Sequence, residues 1–212
     1  MTLQISTPIH YLDDRFEILD SNNVQLFNPK KLSIECTPPN TSNWKGYKCE
    51  YAIKDGELYL INFAMHGNKA NQDLALLKFS TKESDEYQVK AEMKEVDDRH
   101  ISFELLIRSD HFYYRDIDLK IQGAFLIAKD RRVPRQLTAS RGDLPWCYKE
   151  VHLVKIKDDR LLSVENYSNE FYQFFRLFTN DGELEEKYRI MASEFLTENL
   201  GVKFDSYFRI TE

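Results

Sequence analysis

The sequence predicts an α+β fold, mainly antiparallel β arranged as a sandwich or barrel-like sheet, with one or two C-terminal helices. Three observations carry this expectation: apolar and polar residues alternate over long stretches, turn signals separate those stretches, and the period changes to helical spacing after residue 167. The 212 residues fit one domain, β-rich over 1–167 and helical over 168–212. A mean hydropathy of -0.55 is low. Even so, 14 Phe and 12 Tyr bring enough aromatic area to build a core.

The first hairpin is read at 48–53 and 57–63, joined by Lys54-Asp55-Gly56, whose glycine tolerates the positive φ of a tight turn. Next, Val89, Ala91 and Met93 alternate with Lys90, Glu92 and Lys94. After the acidic turn Val96-Asp97-Asp98-Arg99, residues Ile101, Phe103, Leu105 and Ile107 share one face, which predicts an antiparallel pair. Ile117, Leu119 and Ile121 continue the alternation, and Gly123 before the apolar run 124–128 predicts a bend or bulge. A late hairpin is read at 151–157 and 161–167 through Asp158-Asp159-Arg160.

The two hairpins share a Trp lead-in and the pattern Ile-Lys-Asp at their tips, which raises an internal repeat as a hypothesis and convergence as the stronger alternative. Superposed hairpins should then also align their neighbouring strands. Beyond them, Tyr188, Met191, Ala192, Phe195, Leu196 and Asn199 fall at helical spacing, with Glu185 and Glu186 at the start and Gly201 as a stop, predicting a helix over 185–200. Phe171, Phe174, Phe175 and Phe178 also fit a helical face capped by Ser168 or Asn169, although a strand suits them nearly as well. The segments 36–43, with Pro38 and Pro39, and 131–144 read as loops.

Several function classes are disfavoured by composition and spacing. A net charge of -6 repels nucleic acid, whose binding depends on Lys and Arg neutralising phosphates. The closest glycines, Gly46 and Gly56, are ten apart, which leaves no room for a phosphate-cradling loop, a dinucleotide fingerprint or a nucleophile elbow. No histidine or cysteine pair has metal-ligand spacing, and neither cofactor nor metal is expected. Cys36, Cys49 and Cys147 are odd in number and far apart, as suits reduced, mostly buried thiols. No apolar run approaches the roughly 18 residues of a spanning helix, and no signal pattern opens the chain, so the expected location is the cytoplasm, away from membranes.

Two groups of residues remain as candidate sites. His66 and His111 lie at predicted strand ends, and His111 is followed by Tyr114 and Arg115, a set able to bind an anion or a carbonyl group. Lys129, Arg131, Arg132, Arg135 and Arg141 form a basic cluster suited to phosphate or to an acidic protein surface. Asp116 and Asp118 share a strand face as a carboxylate pair, but that face reads as solvent-exposed beside Lys120 and Gln122.

The run Trp44-Lys45-Gly46-Tyr47, then Tyr51, Ile53, Asp55-Gly56 and Leu58-Tyr59-Leu60, resembles an uncharacterised bacterial family. Its members carry an aromatic-x-Gly-Tyr step, an aromatic-x-Ile strand, a turn and a Leu-Tyr-Leu strand. Leu126-Ile127-Ala128-Lys129-Asp130 and Glu150-Val151 with Leu161 are similar to that family's later segments, while 131–144 has no counterpart there and tryptophan often stands at the position of Tyr51. The resemblance implies a bacterial β-domain and no activity.

Two functions fit these readings. The first is a non-enzymatic interaction protein, such as an immunity or antitoxin-like partner that neutralises a basic toxin domain. The alternative is a small-ligand-binding β-barrel or barrel enzyme with its site near His66 and His111.

Overall fold

The computed structural model describes residues 6–20, 26–39, 43, 45–79, 89–93, 103–108, 121–132, 144–180, 191, 194, 195, 197 and 198. In chain order the elements are β1 (Thr7–Tyr11), β2 (Asp14–Asp20), β3 (Tyr47–Lys54), β4 (Glu57–Gly67), α1 (Lys69–Phe79), β5 (Val89–Met93), β6 (Phe103–Arg108), β7 (Gly123–Arg131), β8 (Tyr148–Lys157), β9 (Arg160–Asn166) and α2 (Ser168–Asn180). The architecture is mainly antiparallel sheet with a helix towards the C-terminus, as alternation and aromatic spacing predict. The chain divides into two compact units, one of Thr2–Asp13 and Phe27–Leu119, the other of Met1, Asp14–Leu26 and Lys120–Glu212.

In the first unit the strand order is β1-β3-β4-β6-β5. β1 runs parallel to β3, with Ile9 opposite Tyr51, and the other pairings are antiparallel. The β3–β4 hairpin turns on Asp55 and Gly56, whose φ of 53 and 78 are the two positive angles of the mirror-image turn that matches strand twist. Ile9, Tyr51, Leu60, Phe63 and Met65 are fully buried or nearly so. Tyr51 is tolerated at that depth because its hydroxyl accepts a hydrogen bond from the Phe27 amide at 3.1 Å, so no polar atom is left stranded. Burial pushes its ionisation well above the usual range.

The second unit has the order β2-β7-β8-β9, antiparallel throughout. Phe125, Leu126, Ile127 and Ala128 are all 0% exposed, so both faces of β7 are covered. This is why 124–128 reads as an unbroken apolar run. One face meets a core of Leu19, Leu144, Trp146, Val151, Leu153 and Phe171, against which Phe174, Phe175 and Phe195 pack. Phe171 alone contributes roughly 2–3 kcal/mol through burial.

Two local expectations are modified, and one element was not anticipated. Gly123 opens β7 instead of interrupting a strand, since Ile121 and Gln122 are in no regular structure, and its φ of 125 marks the entry. The cap of α2 differs too. The Asn166 carboxamide accepts the Ser168 amide, while Ser168 Oγ accepts the Val151 amide and so ties the helix start to β8. Finally, α1 follows β4 directly, a helix for which its own residues show no apolar stripe. Within the closing segment predicted at 185–200, residues 191, 194, 195, 197 and 198 are helical.

Candidate interaction surface

The best-organised surface of the second unit begins where β7 ends. Asp130 takes a φ of 56 near the end of the strand, Arg131 still pairs with Tyr148 of β8, and Arg132 follows as the first residue beyond β7. Pro145 then starts a short 3₁₀ turn, Pro145–Cys147, that leads into β8. The turn supplies two acceptors: the Arg132 amide donates to Cys147 O at 2.6 Å, and Arg132 Nε donates to Tyr148 O at 3.0 Å. Held at both ends, the guanidinium lies 4.7 Å from the Tyr172 ring centroid and 5.5 Å from that of Phe175. Those two rings, three apart on α2, stack with their planes 21° apart. A cation over aromatic faces gains about 0.5–1 kcal/mol at exposed sites. Tyr172 remains 40% exposed, so the stack is presented at the surface.

Arg131 is used differently. Its Nη1 donates to Tyr148 Oη at 3.0 Å, and that hydroxyl donates in turn to Glu17 Oε2 at 3.0 Å, joining β7, β8 and β2. Lys129 is bound in a third way, to Asp14 Oδ2 at 2.5 Å and Glu150 Oε2 at 3.1 Å, with its ammonium 5.0 Å from the Phe16 ring. Glu150 Oε1 also pairs with His152 Nε2 at 2.7 Å, and the His152 ring meets Phe16 edge-on. The Asp14 and Glu150 carboxylates raise the Lys129 pKa. Burial works to raise that of Glu150, but hydrogen bonds from His152 and Lys129 outweigh it and hold the carboxyl below its ordinary range. Of the basic cluster of the sequence, Lys129 thus pairs with carboxylates while Arg131 and Arg132 meet at Tyr148, one on its hydroxyl and the other on its carbonyl.

His66 sits one residue from the end of β4, half-buried, and its backbone donates to Gly46 O and accepts from the Thr37 amide, each at 2.8 Å. His111, Tyr114, Arg115, Arg135, Arg141, Asp116 and Asp118 lie outside the described residues. Sequence reasoning overlooked a second polar group, in the first unit: His10 Nε2 pairs with Glu50 Oε1 at 2.8 Å, and Asn62 Nδ2 donates to Glu50 Oε2 at 2.6 Å. It also overlooked Tyr172, whose signal was its spacing of three from Phe175.

Among the described residues no three His, Cys, Asp or Glu side chains are placed to hold a metal ion, and no helix is long and apolar enough to cross a membrane. Cys36, Cys49 and Cys147 are unbridged. Burial pushes the Cys36 thiol to about 11 and that of Cys49 to about 12, so both are protonated at neutral pH. Compared with family models, curated proteins and solved structures, the chain matches none.

Proposed function

We propose that this chain is a non-enzymatic interaction protein of bacterial, cytoplasmic type, acting as an immunity or antitoxin-like partner. The observation that carries this reading is the Arg132–Tyr172–Phe175 stack, exposed through Tyr172 and held in place by backbone hydrogen bonds. Tyr and Arg are the residue types that dominate binding energy at protein interfaces, and a prefixed arrangement loses little entropy on docking. A net charge of -6 adds a long-range attraction for a basic partner.

Co-expression with the product of the adjacent gene tests the proposal. The wild-type chain should retain that product through purification and suppress its toxicity, and Tyr172→Ala should weaken the complex about tenfold or more with the fold intact by circular dichroism. Absence of a bound partner, or a Tyr172→Ala complex as tight as wild type, refutes it.

A further inference from the structure

We infer that Arg132 is the docking point for a single carboxylate on the partner's surface, a reading that rests on the interaction function proposed above. The Arg132 amide and Nε are committed to Cys147 O and Tyr148 O, and the flat face of the guanidinium lies on Tyr172 and Phe175. The two terminal nitrogens make no hydrogen bond to any described residue. A guanidinium anchored in this way offers parallel donors spaced for the two oxygens of a carboxylate, with much of its rotamer freedom already given up.

The neighbouring cations decide the class of anion. Lys129 is held between Asp14 and Glu150, and Arg131 gives Nη1 to Tyr148, so the two cations just before Arg132 in the chain are directed to other partners. Polyanions such as nucleic acid gain affinity by having several phosphates neutralised together, and a chain of net charge -6 repels them. A lone carboxylate on an otherwise neutral or basic protein surface meets both conditions. The wider field attracts the surface, and the fork selects the acid and sets the register.

Nuclear magnetic resonance of the arginine Nε–H groups in the full chain reads this directly, with the blocked tripeptide Lys-Glu-Lys as probe and Lys-Gln-Lys as its control. The Arg132 signal should move with the Glu peptide and need about tenfold more of the Gln peptide. Arg132→Lys, which keeps the charge and loses the fork, should reduce that preference to about threefold or less, followed in both proteins at the backbone amide signal of residue 132. Equal response to both peptides, no response to either, or a stronger response to a short single-stranded DNA overturns the inference. The two proposals fail separately. If Tyr172→Ala releases the co-expressed partner and Arg132→Lys does not, the interaction function stands and the carboxylate dock falls; if no partner is retained, the interaction function falls and a persisting peptide preference leaves Arg132 as a carboxylate site without that partner.

Discussion

The β3–β4 and β8–β9 hairpins make the same turn by different chemical means. Both tips place two consecutive residues at positive φ, Asp55 and Gly56 at 53 and 78, Asp158 and Asp159 at 49 and 63. At the first tip glycine removes the steric cost, and a Cβ added at Gly56 would meet nothing within 4 Å. At the second, Asp159 accepts the cost and recovers it through two bonds to Ile121: its Oδ1 accepts the Ile121 amide at 2.7 Å and its own amide donates to Ile121 O at 3.0 Å. One tip relies on glycine, the other on a clasp. The helices that follow differ likewise, since each begins two residues after its hairpin, yet α2 buries Phe171 completely where α1 buries Ala75.

This difference bears on the internal repeat. The strand beside β3 is β1, running parallel, whereas the strand beside β8 is β7, running antiparallel. The bulges fall at different places too, after Glu50 in one hairpin and after Lys155 in the other. The neighbouring strands do not align, so the hairpins are alike because tight antiparallel turns recruit the same residues, and the repeat hypothesis fails its own test.

The contrast can be pressed experimentally. The largest effect is expected at Phe171→Ala, which should cost about 3–5 kcal/mol in urea unfolding, while Ala75→Gly costs about 1 kcal/mol; near-equal values would show that the two helices are anchored alike. Next is Gly46→Ala, ahead of β3, where φ is +72 and the new Cβ would lie 2.7 Å from the Thr37 backbone. We expect a loss of about 2–3 kcal/mol there against about 1 kcal/mol for Gly56→Ala.

The clasp comes third. Asp159→Ala should destabilise by about 2 kcal/mol and Asp159→Gly by about 1 kcal/mol, because glycine relieves the backbone yet still forfeits the side-chain acceptor. A thermal melt in which Asp159→Gly equals or exceeds wild type would reduce the clasp to a φ requirement.

The smallest effect is a difference in pH response. Glu165, held down first by Lys155 and then by Ser163, and Glu150 both have lowered pKa values and both belong to the second hairpin. Their contribution is present above the unfolded carboxylate pKa and disappears as pH falls through the lowered one. In the first hairpin, burial raises Cys49 and Tyr47 to about 12, so stability there declines as pH rises past the unfolded thiol and phenol values. Melting temperature against pH should therefore flatten on the acid side in Glu165→Gln and on the alkaline side in Cys49→Ala, and crossed or absent effects would contradict this division.

What the sequence by itself determined are the features whose causes act over a few residues. The hairpin at 48–63 follows from alternation around Asp55-Gly56 and the β5–β6 pair from Val89, Ala91 and Met93 facing a second alternating run, whereas for Phe171, Phe174 and Phe175 the spacing allowed a helix or a strand and packing on the core settled it as α2. Only the tertiary structure decided the rest. Glu17 finds Tyr148 across 131 positions, Asp14 finds Lys129 across 115 and His10 finds Glu50 across 40. No local period encodes such pairs, because they exist only once β2 lies beside β7 and β1 beside β3. The fate of the basic cluster shows the consequence: residues close in the chain, Lys129, Arg131 and Arg132, are sent by strand geometry to carboxylates, to a tyrosine hydroxyl and to a backbone carbonyl under an aromatic pair.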